Sequence, residues 1–366
     1  MGADAQGIRT GHLVGGALSV VERLDGPLGL LLAPLGWLYA GVARLRVWAY
    51  RKGWKKSARP PLPTLSIGNI SAGGTGKTPL LFHALAWFDR NHARVGVLSR
   101  GYGGDEGRML EERFPQVLLA EGADRIAGMK RLLAEAEPPE MFLLDDGFQH
   151  LKLQRDIDIV VLDALRPFGR CIPAGVFRES LQAIRRAKLV VLSRAEWVEE
   201  SRRQEIWRLV HAMRKDDHDP LPRVEGGVVG RDLRNLKDGR IEPLRSMSGK
   251  EVHLAAGIGN HASFLRLVKA QGIRVHRFDE LADHYPWSAS DLERYGPERP
   301  LIVTEKDGVK LRPFAQDHCW ELRVDWEFRL GQEAWEQCLF DLHLPVRAAR
   351  IEPLWAAHDP DGMGVQ

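Results

Sequence analysis

Short apolar runs alternate with longer amphipathic stretches over most of the chain. Five runs, each bounded by glycine, proline or charged residues, predict buried strands: residues 63–70, 95–100, 141–146, 156–164 and 188–194. The segments between these runs are long enough for crossover connections, and several have a helical spacing of apolar residues. This alternation predicts an α/β fold with a doubly wound, mostly parallel sheet.

The pattern changes near Arg223, which indicates a second and smaller α/β lobe. Residues 224–230 and 233–243 are predicted to form a linker. Beyond it, strands are predicted at 250–259, at 300–307 and at 319–328, the last returning to the hinge, and a final helix at 331–344. A chain of 366 residues is long enough for two lobes.

The N-terminal region has its own pattern, an apolar run of 17 residues at 27–43. This is shorter than the ~20 residues that a helix needs to cross a bilayer, so a helix lying in the membrane surface is expected. A buried helix of the soluble core is the alternative. The apolar stripe is formed by Leu35, Leu38, Val42, Leu45 and Ala49, and the basic residues that would meet anionic lipid are Arg44, Arg46, Arg51, Lys52, Lys55, Lys56 and Arg59.

These patterns predict a division of the chain into four parts. They are an N-terminal membrane-associating helical segment at 1–56, a nucleotide-binding domain at 57–222, a smaller α/β lobe with a hinge at 223–346, and a loose tail at 347–366.

Composition narrows the class of protein. Apolar residues make up 44% of the chain, which is typical of a folded protein, and a net charge of +3 does not indicate nucleic-acid binding. The cysteines Cys171, Cys319 and Cys338 are too scattered for a disulfide framework or a metal pair, which favours a reducing cytoplasm. No obligate protein partner is inferred.

A glycine-rich segment, SAGGTGKT at 71–78, lies between a predicted strand and a predicted helix, as a P-loop requires. Glycines there let backbone N–H groups converge on phosphate oxygens, Lys77 would contact the β- and γ-phosphates, and Thr78 would offer its hydroxyl to Mg²⁺. ATP and Mg²⁺ are therefore the expected ligands, and the fold is expected to be of the P-loop NTPase type. The predicted nucleotide-binding residues are Ser71, Ala72, Gly73, Gly74, Thr75, Gly76, Lys77 and Thr78, with Ser71 where the common pattern has glycine.

Acidic residues follow two other predicted strands. Asp145 and Asp146 end the run at 141–146 and are predicted to lie on the metal side of the site. Asp105 and Glu106 are predicted to lie on a loop after the run at 95–100, where a carboxylate could take the proton of an attacking hydroxyl. The alternatives are a capping aspartate at a strand end and solvated loop acids.

Several motifs together resemble the tetraacyldisaccharide 4′-kinase (lipid A 4′-kinase) family. In order, they are GNISAGGTGKTP, LSRGYGG, DE, LLDDGFQH, IPAGVFRES, GIGN, DHYPW and VTEKDGVK. The resemblance implies transfer of the γ-phosphoryl group of ATP to the 4′-hydroxyl of a tetraacyldisaccharide 1-phosphate at the cytoplasmic face of the inner membrane. It implies that Lys77, Asp105, Asp146 and His284 are catalytic, and that Thr78, Asp145 and Asp146 hold the metal.

The chain departs from the family pattern in one place that concerns the base. Relatives have a longer stretch between RGYGG and GDE, whereas Gly103, Gly104, Asp105 and Glu106 are continuous here. Two other functions are therefore kept open from the sequence. One is a membrane-surface P-loop ATPase that acts as a switch with no lipid acceptor, and the other is a soluble small-molecule kinase.

Overall fold

A computed structural model describes residues 9–10, 24, 26–101, 104–214 and 221–356, without the side chains of 9–10, 347 and 349–356. In this part of the chain, 13 strands form one sheet. The strands are β1 (Arg9–Thr10), β2 (Thr64–Asn69), β3 (Val95–Ser99), β4 (Leu118–Glu121), β5 (Met141–Asp145), β6 (Ile157–Asp163), β7 (Leu189–Ser193), β8 (Val224–Asn235), β9 (Ile241–Glu242), β10 (Glu251–Ala256), β11 (Arg274–Glu280), β12 (Leu301–Thr304) and β13 (Cys319–Leu330).

Helices connect most of the strands. The described α-helices are α1 (Pro27–Leu31), α2 (Ala33–Arg51), α3 (Lys77–Arg90), α4 (Asp105–Arg113), α5 (Arg125–Leu133), α6 (Glu200–Ala212), α7 (His261–Lys269), α8 (Ala289–Leu292), α9 (Glu305–Leu311) and α10 (Gln332–Ala356). Short 3₁₀ turns lie at Leu181–Arg186, Ala195–Trp197, Leu244–Met247 and Arg312–Phe314.

The first half of the sheet has the strand order β4-β3-β5-β2-β6-β7, and all of these strands are parallel. Their side chains are buried on both faces, as in β2 and β7, where every residue is buried. The five strands predicted here are confirmed within one or two residues at each end. Because β2 lies between β5 and β6, the order of the strands reverses at β2, and ligands of such sheets bind at this point.

The second half of the sheet has the order β1-β11-β10-β12 and is also parallel. It is built around its own apolar cluster, which includes Leu254, Phe264, Phe278 and Ile302. The strands predicted at 250–259, 300–307 and 319–328 are confirmed as β10, β12 and β13, although β10 ends at Ala256 and residues 305–307 belong to helix α9. The fold is therefore mixed α/β with a mostly parallel sheet, as the sequence predicted.

An antiparallel pair, β8 with β13, joins the two halves. The linker predicted at 224–230 and 233–243 is wrong over most of its length, because β8 is a strand of 12 residues that pairs with the 12-residue strand β13, and β9 adds to its edge. The glycines of this segment suggested a linker, but the partner strand supplies the hydrogen bonds that local propensity alone does not predict.

The pairing of β8 with β13 sets the direction in which the strands of each half run. The start of β8 lies parallel to the end of β7, through Val191 with Val224, whereas its far end pairs with the part of β13 that lies parallel to β12. Strands β7 and β12 therefore run in opposite directions from the two ends of the pair. As a result, the carboxyl ends of the strands in both halves face each other.

Helix α2 packs on the first half by a narrow contact and exposes most of its apolar side chains. A methyl group at Gly36 would lie 2.9 Å from the carbonyl oxygen of Cys171 and from the Cβ of Ala174, so only glycine allows this approach. Trp37, Leu38 and Val42 are more than half exposed. The alternative of a buried core helix is therefore wrong.

The C-terminal helix extends further than the sequence predicts. Helix α10 continues to Ala356, so the loose tail predicted from residue 347 is wrong for the described part of that segment, and residues 357–366 lie outside the described residues. Arginine, alanine and glutamate, which favour helix, make up much of the stretch 347–352.

In the described ranges, no helix combines the length and the apolar character that crossing a membrane requires.

We expect Trp335→Ala to lower the free energy of unfolding by about 3–5 kcal/mol, because Trp335 is fully buried and its ring contacts those of His83 and Phe328. Urea unfolding monitored by circular dichroism measures this. Trp54→Ala, at a side chain that is 74% exposed, is the control and should change the value by less than about 0.5 kcal/mol. Equal losses in the two variants would contradict this account of the core.

Candidate active site

The glycine-rich loop connects β2 to the first turn of α3, as predicted. Gly73 and Gly76 have φ values of 106° and 80°, which L side chains rarely adopt, so these two glycines are required by the turn. Inside the loop, the Asn69 side chain donates to the Thr75 hydroxyl at 3.1 Å. The loop thus directs backbone N–H groups and the N-terminus of α3 into one concave surface, which is a site for an anion.

A second motif holds the start of this loop in place. The backbone N–H of Ala72 donates to the carbonyl of Val176 at 2.7 Å, and that of Arg178 donates to the carbonyl of Ile70 at 2.8 Å. Ser71 pairs with Phe177 in an isolated antiparallel bridge and is buried. Ser71 therefore replaces glycine at a position where the backbone is paired with a neighbouring segment. Through these contacts, the motif at 172–180 supports the start of the phosphate loop.

Two carboxylates and two cations meet at the end of β5. Lys77 Nζ lies 3.5 Å from Asp146 Oδ1, and Arg178 Nη1 donates to Asp146 Oδ2 at 2.6 Å. The hydroxyl of Ser99, at the end of β3, donates to Asp145 Oδ2 at 3.4 Å. Asp146 has a φ of 50°, a left-handed conformation that is uncommon for aspartate and is often found at functional sites.

The electrostatics of these two carboxylates differ. Burial, with the charge of Glu106 added to it, raises the pKa of Asp145 to about 7. Burial also acts to raise the pKa of Asp146, but the opposing charges of Lys77 and Arg178 outweigh it, and the pKa of Asp146 is lowered. Asp146 is therefore favoured as an anion beside Lys77, whereas burial disfavours the charged form of Asp145, which a bound cation would stabilise.

Asp105 and Glu106 do not lie on a loop, as the sequence analysis expected, but form the first turn of α4. Helix α4 begins after Gly104, whose φ of 69° allows the sharp entry. Acidic residues are common in exposed loops and also in the first turn of a helix, where they interact favourably with the helix dipole. The residue types alone therefore do not distinguish a loop from a helix start. Glu106 Oε1 lies 3.5 Å from the hydroxyl of Thr78, at the edge of hydrogen-bond distance.

The second half of the sheet supplies His284 to the same site. His284 Nδ1 lies 3.0 Å from Asp105 Oδ2, although 179 positions separate the two residues in the chain. His284 has a φ of 61°, and its Nε2 lies 3.2 Å from Lys306 Nζ. Asp105 is 3% exposed and has a second partner, since Lys310 Nζ lies 2.7 Å from the same carboxylate oxygen.

These groups surround a cleft of about 550 Å³ between the two halves. The loop residues 73–78, Asp145, Asp146 and Arg178 line it from the first half, and His284 and Lys306 line it from the second. Asp105 lies behind His284 and does not line the cleft in the described structure. The lining of the cleft also includes the apolar side chains of Trp197, Val228, Ile258, Phe264, Leu267 and Leu322.

The structure therefore brings most of the predicted site residues together. Ser71 and Ala72 form the base of the loop, residues 73–78 line the cleft, and the predicted acids and His284 lie beside it. Arg194 was not among the predicted site residues, but its guanidinium donates to the carbonyl of Gly74 at 2.5 Å and pairs with Asp163. Its position at the end of a predicted strand was a signal, because β2, β5 and β7 open at one edge.

The fold and the site together define a class of protein. A glycine-rich loop at the reversal point of a parallel sheet, followed by a helix and flanked by carboxylates at the end of a neighbouring strand, is characteristic of the P-loop nucleotide-binding proteins.

A family model narrows the class further. The model described as tetraacyldisaccharide-1-P 4′-kinase, LpxK, matches residues 28–105 and 103–343. Since these ranges cover most of the chain, the protein belongs to this family.

Individual relatives agree with the family model. Tetraacyldisaccharide 4′-kinase from Nitrosococcus oceani is 35% identical over 327 residues, which span 82% of this chain and 87% of the relative. The protein of that name from Pseudomonas aeruginosa is 36% identical over the same length, with 82% and 89% covered. The crystal structure of an "apo" form of LpxK from Aquifex aeolicus, described as in complex with ATP, is 29% identical with a TM-score of 0.69, and the match covers 86% of this chain and 99% of that one.

A pH-dependent stability difference is expected at Glu305, which lines the cleft and accepts a hydrogen bond from the N–H of Val324 at 3.0 Å. Burial raises the pKa of Glu305 to about 7. This value lies above the ~4.3 of an unfolded glutamate, so folding favours the protonated form and the wild type loses stability as the pH rises from about 4 to 7.

Glu305→Gln removes this titration while retaining an oxygen for Val324. We expect the difference in Tm between the variant and the wild type to be more favourable to the variant at pH 8 than at pH 4, measured by differential scanning fluorimetry. The exposed Glu327→Gln serves as the control and should show no such trend. An equal difference at both pH values would show that the carboxyl group does not titrate as described.

Proposed function

We propose that this protein is an ATP-dependent lipid kinase. It transfers the γ-phosphoryl group of ATP to the 4′-hydroxyl of a tetraacyldisaccharide 1-phosphate in the biosynthesis of lipid A, the anchor of lipopolysaccharide. The names of its relatives and the ATP complex of one of them support this assignment. The observation that carries it is that an anion-binding loop from the first half of the sheet and His284 from the second half line one cleft, with Asp105 paired to His284 behind it.

The phosphoryl donor would occupy the side of the cleft formed by the loop. Backbone N–H groups of residues 73–78 and the ammonium group of Lys77 would hold the phosphates, and Arg178 would balance charge next to Asp146. The apolar side chains that line the cleft would contact the purine ring. Positioning and charge neutralisation are the main requirements of phosphoryl transfer, and this arrangement meets both.

Mg²⁺ fits the oxygen groups at this point. Asp146 Oδ1 is buried and accepts no hydrogen bond from the described residues, although Lys77 lies 3.5 Å away, and burial penalises the charge of Asp145. Hard oxygen ligands, few carboxylates and substrate phosphates suit Mg²⁺. Thr78, Asp145 and Asp146 would hold the ion, and when bound it would supply positive charge to the β- and γ-phosphates.

Asp105 and His284 would remove the proton from the acceptor. In the transfer, the bond between the γ-phosphorus and the β,γ-bridging oxygen of ATP breaks, a bond forms between that phosphorus and the 4′-oxygen, and ADP leaves. The hydroxyl proton passes to the pair, with His284 on the side of the cleft and Asp105 behind it. Closure of the two halves would exclude water that could otherwise hydrolyse ATP.

The acceptor would approach along α2. A groove of about 200 Å³, lined by Arg44, Trp48, Arg51, Glu179 and Arg186, lies between α2 and the turn at 181–186. Glu179 lines this groove while the preceding residue, Arg178, lines the cleft, so the groove leads towards the phosphate site. A charged sugar head group would lie there while its acyl chains remain in the bilayer.

The exposed face of α1 and α2 supports attachment to the cytoplasmic face of the inner membrane, as a peripheral or monotopic protein. Large apolar side chains with relative exposures from 39% to 77% form this face, and the basic residues that follow would meet anionic lipid. The division at residues 57–222 and 223–346 stays a prediction, which the junction of the two sheet halves at β8 supports. The family match disfavours the switch ATPase and the soluble kinase.

Lys77→Ala tests the phosphate site. We expect the loss of nearly all phosphate transfer with a folded protein, because the loop would lack its only side-chain cation within the segment 71–78. Transfer is measured with γ-labelled ATP and a tetraacyldisaccharide 1-phosphate in mixed micelles, followed by chromatography of the organic phase. Wild-type turnover in this variant, or ATP hydrolysis by the wild type without a labelled lipid, would rule out the proposed kinase.

Leu31→Glu combined with Leu38→Glu tests the membrane surface. Both side chains are exposed, at 77% and 65%, so the fold should persist while binding to vesicles that contain anionic phospholipid falls by at least tenfold, which corresponds to about 1.4 kcal/mol. Co-sedimentation with such vesicles measures this. Leu344→Glu, at an exposed leucine of α10, is the control. If the double variant bound the vesicles as well as Leu344→Glu does, the membrane contact would lie elsewhere.

A further inference from the structure

Helix α9 contains Lys310, a half-buried cation that lines neither the cleft nor the groove. Its side chain is 16% exposed, and its ammonium group lies 2.7 Å from Asp105 Oδ2. Asp105 belongs to the first half of the sheet and Lys310 to the second. The ion pair therefore spans the junction of the two halves at the residue proposed to accept the proton.

The same ammonium group also contacts the segment that carries His284. Lys310 Nζ donates to the carbonyl oxygen of Tyr285 at 3.2 Å, one residue beyond His284. His284 itself donates its backbone N–H to the carbonyl of Gly257 at 3.3 Å and has a left-handed backbone. Such a conformation persists only when its surroundings restrain it. Lys310 thus holds both members of the acid–histidine pair, one by its carboxylate and the other through its backbone.

A carboxylate in the same helix fixes the other side of this segment. Asp307 is fully buried and accepts hydrogen bonds from Trp287 Nε1 at 2.9 Å, from the N–H of Gly257 at 3.0 Å and from the Thr304 hydroxyl at 2.6 Å. Burial raises the pKa of Asp307, and the three donors offset part of this effect and fix the orientation of the carboxyl group. Helix α9 is therefore a rigid support, and Lys310 extends from it to the pair.

Because Asp105 is buried, its carboxylate depends on the positive charge of Lys310. An anionic carboxylate that is 3% exposed is costly unless it is paired and hydrogen-bonded. In the described part of the chain, both partners of this side chain, His284 and Lys310, act on Oδ2. Because helix α9 holds Lys310 in place, its ammonium group keeps the Asp105 carboxylate paired and oriented when His284 turns towards a substrate hydroxyl.

We propose that Lys310 is a positioning residue for phosphoryl transfer, which holds Asp105 and the His284 segment in register when the two halves of the sheet meet. Lys310 does not touch the phosphates and takes no proton. The inference rests on the proposed function, because it acts through Asp105. Loss of Lys310 therefore slows the chemical step and leaves the nucleotide site intact.

The test uses the full chain in the lipid kinase assay, with ATP and acceptor varied separately. We expect Lys310→Met to lower kcat by about tenfold to a hundredfold while KM for ATP stays within about twofold of the wild type. Lys310→Arg, which keeps the charge, should recover most of the lost kcat. Lys269→Met, at an exposed lysine of the same half of the sheet, is the matched control and should behave as the wild type.

A double-variant cycle separates positioning from a general structural role. In an Asp105→Asn background, Lys310→Met should lower the residual kcat by less than about twofold, because the group through which it acts has been removed. The same factor in both backgrounds would overturn the proposal, as would an unchanged kcat in Lys310→Met or an Arg variant as impaired as the Met variant. If Lys310→Met lowers Tm too far for assay, Lys310→Gln replaces it in the same cycle.

The same experiment distinguishes failure of this inference from failure of the proposed function. If Asp105→Asn alone retains wild-type kcat, then Asp105 is not part of the proton-accepting pair and the proposed mechanism is wrong. If Asp105→Asn is impaired and Lys310→Met is not, then the mechanism stands and only the role of Lys310 is wrong.

Discussion

The antiparallel pairing of β8 with β13 is the constraint on which the rest of the structure depends. Each half of the sheet is parallel and opens its ligand side at the carboxyl ends of its strands. Two such halves could open in unrelated directions. The pair runs outward along β8 and returns along β13, so both openings face the same cleft. A phosphate loop and an acid–histidine pair can then be contributed by separate parts of the chain.

The cleft concentrates charge that the fold has to stabilise. Buried and half-buried carboxylates lie beside Lys77, Arg178, Arg194 and Lys310, and three residues near the cleft, Asp146, Arg194 and His284, have left-handed backbones. Neither burial of charge nor such a conformation stabilises a protein by itself. The large apolar clusters in both halves of the sheet offset these terms. A site of this kind is organised before its ligands arrive, which is what phosphoryl transfer requires.

The sequence by itself determined much of this protein. The strands of the first half, the phosphate loop and the acids at the end of β5 follow from apolar runs, glycines and their spacing, all of which are local. The motifs also identified the family, which the family model confirmed. The sequence did not determine whether the apolar run at 27–43 forms an exposed helix or a buried core helix, because a short apolar run has the same pattern in both places.

Only the tertiary structure decided which distant residues meet. The residues of β8 resemble a linker until β13 pairs with them, and Lys310 and Arg194 are ordinary basic residues until they lie against Asp105 and Gly74. His284 and Asp105 are 179 positions apart and meet at 3.0 Å. Spacing along a chain encodes periodicity and turns, whereas contacts across a sheet depend on strand order, direction and register, which arise only when the whole chain packs.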